Sequence, residues 1–391
     1  MKKSASGPAL NGKINKKGSG LKSRIEKADA LRDKARYKES IALLARAIRS
    51  CGPGADAGEV YKAHLLSGHN WRMLGNFEKA VFHYEKAISQ ALSPAPGDGE
   101  KTPLSGAPLL DAKVSLSLAY RAMGDWKKAL SLLREAEKAY KKLKDEEALA
   151  FVLWSKGGTF RIKGDIGRAI DAFREARKIF RARGDLQAAG YCLNGLGGAS
   201  RIKGAYKTSL AFYSEANDQF KRLKDPFGLA YSFCGTGNAL RMAGRHEEAL
   251  VQFRKALKVY KRIGDIVSSS YTLWSVSKSL MMTGRTGPAL ETLRQAERLF
   301  VKTGDPRGRI YCLLSEAELR LMAGGGQKAK AAGLAAGALE LSRRHGFAIE
   351  SCHAGSLLAL IKGDAGRKDT SCYKKLGLKK PDFKKVPVNL P

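Results

Sequence analysis

The 391-residue sequence has no long apolar run and no apolar leader. No window approaches the roughly 18 consecutive apolar residues that a membrane-spanning helix needs. Residues 1–22 hold six lysines and no acidic residue, and they lack the hydrophobic stretch of a secretory signal. We therefore expect a soluble, unexported protein that resides in the cytoplasm.

Cysteine is scarce, and metal-binding spacings are absent. The six cysteines include no CxxC pair, which predicts reduced thiols rather than a disulfide framework. His64, His69 and His83 lie near one another without an HExxH motif or a cysteine pair beside them. Segment 97–102 is a poor phosphate-binding loop, because Glu100 separates its glycine from its lysine. We predict no cofactor, no metal ion and no catalytic residues.

Acidic residues are few relative to basic ones. Lysine and arginine number 71 against 37 aspartates and glutamates, a formal net charge of +34. The lysine-rich start and the closing stretch 362–391, with nine basic and three acidic residues, hold only part of this excess. The middle of the chain is therefore basic as well. Such a charge attracts acidic peptides, RNA and anionic membrane surfaces alike.

Glycines recur every forty residues, and this spacing organises the chain. Small residues follow each glycine at five and twelve positions, and larger apolar residues follow the first five glycines at nine and sixteen positions, which traces one face of an α-helix. The repeated glycines are Gly124, Gly164, Gly204, Gly244, Gly284 and Gly324. The pattern predicts a turn at each glycine and a helix after it.

An aspartate follows each of the first five of these helices and predicts the start of another. A carboxylate at this position can accept hydrogen bonds from the first free backbone N–H groups of a helix. The aspartates are Asp145, Asp185, Asp225, Asp265 and Asp305. Each repeat is therefore predicted as helix, glycine turn, helix, aspartate turn.

The register continues on both sides. It runs back to Gly75 with nine additional residues before Gly124, where four prolines and three glycines between positions 93 and 108 predict a loop at about 91–108. Forward, 348–362 predicts a further helix that caps the array. We divide the chain into a disordered basic tail 1–22, a helical array 23–362 and a basic, proline-containing tail 363–391. The last tail either folds back into the array or recruits a partner as an extended segment.

These features resemble the tetratricopeptide repeat family in a 40-residue version. The resemblance implies an all-α fold, a right-handed superhelical solenoid of about eight helix-turn-helix repeats with a C-terminal capping helix. It also implies that the first helix of each repeat lines a concave groove that binds a partner. The resemblance rests on the Gly-Asp turns at 124–125 and 164–165, the two small residues and the aromatic after each turn, and Gly157, Gly197 and Gly237 in the first helices.

A periodic set of side chains is predicted to face this groove. Guanidinium, amide and aromatic groups together can hold a peptide's backbone and its acidic side chains. The arginines are Arg32, Arg72, Arg121, Arg161, Arg201 and Arg241, and the accompanying residues are Trp154, Tyr191, Asn194, Tyr231, Asn238, Tyr271, Trp274 and Tyr311. The alternative is that the arginines pair with acids of neighbouring repeats and the tyrosines pack between stacked helices.

We predict a non-enzymatic scaffold or adaptor that binds a protein or peptide, acidic by charge complementarity, in this groove. An open groove rarely supplies the dry pocket that catalysis needs. RNA binding stays open as the alternative, because a basic body attracts phosphates and aromatics can stack on bases. Attachment to an anionic membrane surface is disfavoured, because neither end carries an amphipathic helix or a lipidation motif.

Overall fold

The computed structural model describes residues 16–52, 55–92, 106–363, 371–384 and 386–390. These ranges hold α-helices and turns and no strand. Residues 1–15, most of the predicted loop at 91–108, and 364–370 lie outside the described residues. Helix α1 begins at Lys16, ahead of the array boundary placed at residue 23.

Sixteen consecutive helices form eight antiparallel pairs, and each pair packs on the next. The first helices are α1 (Lys16–Asp33), α3 (Ala57–Met73), α5 (Ala107–Ala122), α7 (Glu146–Lys163), α9 (Leu186–Lys203), α11 (Pro226–Met242), α13 (Ile266–Met282) and α15 (Pro306–Ala323). The second helices are α2 (Tyr37–Arg49), α4 (Phe77–Leu92), α6 (Trp126–Leu143), α8 (Ile166–Ala182), α10 (Tyr206–Arg222), α12 (His246–Ile263), α14 (Thr286–Thr303) and α16 (Lys328–Arg344). Helix α17 (Ala348–Lys362) closes the array, and a short α18 (Ser371–Lys375) follows. The predicted superhelical solenoid of about eight repeats with a capping helix is confirmed.

The repeated glycines and aspartates form the turns that the spacing predicts. Gly164 has φ +93°, a left-handed conformation that favours glycine at the end of a helix. At the other turn, each aspartate accepts a hydrogen bond from the backbone N–H three residues later, as Asp305 does from Gly308 at 2.9 Å. The aspartates that cap first helices in this way are Asp145, Asp185, Asp225, Asp265 and Asp305.

The core depends on small residues on one helix that face aromatic rings on another. Tyr213 of α10 is 4% exposed and lies between Gly197 of α9 and Gly235 of α11. A Cβ atom at Gly197 would lie 2.9 Å from Cε2 of this ring, and one at Gly235 would be closer still. Gly157 and Gly237 face Phe173 and Phe253 in the same way. These helical glycines let the first helices approach the rings.

The superhelix closes on itself. The indole N–H of Trp126, at the start of α6, donates to the carbonyl of Gly346, 220 positions later, at 3.2 Å. The ring of Phe347 lies against Gly124, and Ile349 lies against Gly164. We call this contact between α5–α7 and the 346–349 stretch the seam. Because of the seam, the first helices surround an interior space.

The 371–390 segment folds back into this interior. Tyr373, Phe383, Val388 and Leu390 are buried and join a cluster with residues of α9, α15 and α17. The hydroxyl of Tyr373 lies 2.7 Å from Nδ1 of His353 on α17. Of the two alternatives for this tail, the structure therefore shows the one in which the tail folds back into the array.

One cysteine pair departs from the expectation of reduced thiols. Cys352 of α17 and Cys372 of α18 form a disulfide across Cα atoms 6.0 Å apart, a separation normal for this bond. The other four cysteines are free. The expectation is therefore wrong for this pair, because the spacing of cysteines along the chain does not reveal which helix the tail returns to.

No helix of the described ranges is long and apolar enough to cross a membrane.

Substitution of Gly235 tests the close approach of helices to rings. In Gly235→Ala the added methyl group collides with Tyr213, so we expect a loss of about 1–3 kcal/mol of stability, seen as a lower thermal unfolding midpoint. Gly333→Ala is the matched control, since Gly333 is an exposed helical glycine with nothing within 4 Å of the added atom. We expect it to be neutral or stabilising by up to about 1 kcal/mol. Equal effects of the two substitutions would contradict this packing.

The pH dependence of stability tests the environment of His353. Burial lowers the pKa of His353 to about 4, opposed by Glu350 and assisted by Arg307 and Lys278. Between pH 6.5 and this value the unfolded chain binds a proton on His353 and the folded chain does not. Folding therefore loses up to about 1.4 kcal/mol per pH unit from this residue as the pH falls.

The measurement is the change in thermal unfolding midpoint between pH 7 and pH 5. It should be larger for the wild-type chain than for His353→Gln, which keeps polar atoms near the Tyr373 hydroxyl and removes the titration. Other histidines with lowered pKa values, including His69 and His83, contribute equally to both proteins. Identical decreases would show that His353 does not contribute.

Candidate binding site inside the superhelix

A cavity of about 250 Å³ lies in the interior, lined by residues from α4 through α15 and by Phe347. We call it the central cavity. Its polar lining includes Arg121, Arg161, Arg201 and Tyr231. Pockets for drug-sized ligands hold roughly 300–1,000 Å³, so this cavity has room for a side chain or a short segment and not for a folded domain.

The six predicted arginines separate into three environments. Arg32 lies at one end of the array and pairs with Asp29 at 2.9 Å, while Arg72 lies close enough to Tyr84 to oppose the rise in pKa that burial causes there. Arg241 is fully buried and contacts the 386–390 segment. Only Arg121, Arg161 and Arg201 line the central cavity.

These three cavity arginines have no ion-pair partner within the part of the chain that the structure describes. Burial and the neighbouring Arg161 lower the pKa of Arg121 to about 10. Nε of Arg201 is buried without a hydrogen-bond partner among the described residues. Clustered, partly buried and unpaired guanidinium groups favour the binding of an anion.

Glycines make space for two of these guanidinium groups. A Cβ atom at Gly158 would collide with Nη1 of Arg121, and one at Gly198 would lie 2.5 Å from Nη1 of Arg161. Gly158 and Gly198 are forty residues apart, so each glycine accommodates the arginine of the preceding repeat. The side chains are thereby directed along the interior from repeat to repeat.

Three of the four predicted tyrosines bind carboxylates of the next repeat. The hydroxyl of Tyr191 donates to Asp225 at 2.9 Å, that of Tyr271 to Asp305 at 2.8 Å, and that of Tyr311 to Glu350 at 2.8 Å. This is the packing role that the alternative interpretation gave to the tyrosines. Tyr231, Tyr271 and Tyr311 all line the central cavity, and Tyr231 differs in being 37% exposed.

The predicted tryptophans lie beneath arginines of the preceding repeat. The guanidinium carbon of Arg121 is 5.7 Å from the Trp154 ring centroid, and that of Arg241 is 5.3 Å from the Trp274 ring centroid, which are cation–π distances. Trp274 is 4% exposed and donates to Ser315 at 2.9 Å. It therefore supports Arg241 from within the core.

The two predicted asparagines differ in their bonding. Asn194 is 2% exposed, and its amide nitrogen and oxygen have no hydrogen-bond partner in the described ranges. Its position, 33 residues after Arg161, repeats that of Trp154 after Arg121. Asn238 lines the central cavity, accepts from Ser275 at 2.9 Å, and lies 3.4 Å from Nη2 of Arg241. Asn238 therefore connects the central cavity to Arg241.

Two other charged residues that line the cavity, Arg307 and Asp305, already have partners within the fold. Arg307 pairs with Glu350 at 2.5 Å. Burial raises the pKa of Asp305, whose carboxylate accepts from Gly308 and Tyr271. Asp305, which lines the cavity, is thus bonded within the fold and does not pair with Arg121, Arg161 or Arg201.

Sequence reasoning missed Lys278 and Glu318, which form an ion pair with both side chains 0% exposed. They continue one series of residues spaced by forty, which begins with Gly158, Gly198 and Asn238. Opposite charges at one repeat position on successive first helices are the sequence feature that could have predicted this ion pair. Asn389, which bonds to Arg241, carried no such signal because it lies outside the repeats.

Comparison with known proteins supports the repeat assignment. The tetratricopeptide repeat family model matches residues 109–182 and 189–262. A search of curated protein sequences gives no significant match.

Several solved structures share the fold. A Rap conjugation gene regulator of plasmid pLS20 in complex with the Phr* peptide aligns with a TM-score of 0.62 at 14% identity, over 83% of this chain and 95% of that one. A Rap protein complexed with Competence and Sporulation Factor aligns at 0.57 and 12% identity, over 90% and 99%. Aspartyl phosphate phosphatase F from Bacillus subtilis aligns at 0.51 and 12% identity, over 94% and 95%.

At these sequence identities the solved structures support only the assignment of the fold. They agree with the family model and with the forty-residue units of helix, glycine turn, helix and aspartate turn. Residues 109–182 and 189–262 of the chain are tetratricopeptide repeats.

Proposed function

We propose that this protein binds a peptide or a short protein segment inside its superhelix, with an acidic group of the ligand held by Arg121, Arg161 and Arg201. The observation that carries the proposal is the convergence of these three unpaired arginines on one cavity. Removing cations from water without a counter-charge is costly. A carboxylate of a ligand offsets that cost and forms charge-assisted hydrogen bonds with guanidinium groups.

The remaining lining suits a peptide. Tyr231 offers a hydroxyl with no described partner, and Asn238 offers amide atoms beside the arginines. The volume of about 250 Å³ favours a side chain or a few residues of an extended segment. Tetratricopeptide repeats act as interaction scaffolds, and one protein of similar fold is in complex with the Phr* peptide. Both points favour a protein or peptide partner.

The other predictions have less support. An enclosed interior of this volume disfavours a folded RNA, and none of the three similar structures is described as an RNA complex. The non-enzymatic role stays a prediction, since one protein of similar fold is a phosphatase by name. The acidity of the partner, the disfavoured membrane attachment and the cytoplasmic location likewise stay predictions.

The test uses two pools of acetylated, amidated pentapeptides. The pools differ at a single position only, where one pool has Glu and the other has Gln. We expect the immobilised full chain to retain the Glu pool about tenfold more strongly, a difference of about 1.4 kcal/mol in binding free energy. In Arg161→Gln/Arg201→Gln the preference for Glu should disappear, because the ligand carboxylate loses its guanidinium partners. Retained peptides are quantified by mass spectrometry.

Arg181→Gln/Arg222→Gln is the matched control. It removes the same charge from exposed positions in the last turn of α8 and α10 and should keep the preference for Glu. Circular dichroism should give the same helicity for all three proteins. Equal retention of both pools by the wild-type chain, or a preference that survives in the cavity variant, would overturn the proposal.

A further inference from the structure

The 386–390 segment is bound inside the superhelix through both its backbone and its side chains. Val388 and Leu390 are 1% and 2% exposed. They flank Asn389, and the backbone N–H of Leu390 donates to the carbonyl of Val388 at 3.0 Å, which makes a tight three-residue turn at Asn389. The structure thus contains a short turn with an apolar, Asn, apolar pattern in a buried site.

Asn389 and Arg241 bind each other reciprocally. Nη1 of Arg241 donates to Oδ1 of Asn389 at 2.6 Å, and Nδ2 of Asn389 donates to the carbonyl oxygen of Arg241 at 2.9 Å. Nη2 of Arg241 also donates to the carbonyl of Leu390 at 2.9 Å. An amide side chain suits this position, because its oxygen accepts from Arg241 while its nitrogen donates to the Arg241 carbonyl.

The buried ion pair holds the other end of the segment. Oε1 of Glu318 accepts from the backbone N–H of Val388 at 3.0 Å, while Oε2 of Glu318 pairs with Lys278. Glu318 and Lys278 come from α15 and α13, and Arg241 comes from α11. Three successive first helices therefore each contribute one charged residue to the same segment.

This arrangement has the features of a peptide-binding site. Arg241 is fully buried on the face of Trp274, and its burial would be unfavourable without the acceptors that the segment supplies. We refer to Arg241, Lys278 and Glu318 as the tail site. It adjoins the central cavity through Asn238, which lies 3.4 Å from Arg241.

We propose that the tail site is a second peptide-binding site, selective for a short apolar-Asn-apolar segment, and that the 386–390 segment is its exchangeable internal ligand. This goes beyond the proposed function, because the ligand needs no acidic residue and does not involve Arg121 or Arg161. An external peptide of the same pattern competes with the internal segment. Since a tethered ligand has an effective concentration of the order of millimolar, the internal segment normally prevails.

The test adds a fluorescent, amidated peptide with the sequence of residues 384–391 to the full chain and measures fluorescence polarisation. In Asn389→Ala/Leu390→Ala the internal segment loses its reciprocal hydrogen bonds and a buried side chain, whereas the solenoid is unchanged in sequence. We expect this variant to bind the peptide at least tenfold more tightly than the wild-type chain does. A control peptide with Leu in place of Asn should lose that binding.

A second measurement uses the wild-type chain alone, so it does not depend on the folding of a variant. Saturating unlabelled peptide should increase hydrogen exchange in the proteolytic fragment that contains 386–390, as the internal segment leaves the site. No binding to the variant, equal binding to both proteins, or unchanged exchange in the wild-type chain would each overturn the proposal. Because the peptide has no acid, failure here leaves the Glu and Gln pool result unaffected, and the reverse also holds.

Discussion

The close approach of the first helices to the aromatic rings beside them is the contact on which the remaining structure depends. Gly197 and Gly235 have no Cβ atom where Tyr213 packs, and Gly157 and Gly237 leave the same space for Phe173 and Phe253. Repeated contacts of this kind set the distance and angle between neighbouring repeats. The accumulated rotation brings Phe347 against Gly124 and forms the seam. The interior therefore exists because small residues stand at a few helix crossings.

The same geometry explains the distribution of charge. Glycines at one position of α7 and α9 admit the guanidinium groups of Arg121 and Arg161, and this position holds Asn238, Lys278 and Glu318 in the later repeats. One end of the interior is thus cationic and unpaired, whereas the other is neutralised by an ion pair and occupied by the 386–390 segment. At this one repeat position, glycines accommodate the unpaired cavity arginines in the earlier repeats, whereas Lys278 and Glu318 form an ion pair beside the 386–390 segment in the later ones.

Much of this fold follows from the sequence, because its rules are local. The spacing of Gly164 and Asp305 with their equivalents specifies turns and caps, which depend on neighbouring residues only. The seam and the returning tail join residues that are far apart along the chain, such as Trp126 with Gly346 and Asn389 with Arg241. No periodic pattern contains such pairs. For this reason six similar arginines in the sequence have three different environments in the structure.

The seam also changes what kind of repeat protein this is. In a linear array each repeat touches only its neighbours, so stability is nearly a sum of nearest-neighbour terms and folding can start anywhere. Here Trp126 bonds to Gly346 across 220 positions, so the terms are no longer independent. Completing the seam requires closing a very long loop, which slows folding. Once formed, the seam couples the third and fourth repeats to the end of the array. We therefore expect unfolding to begin with the loss of the seam contacts rather than with the gradual unfolding of the terminal repeats.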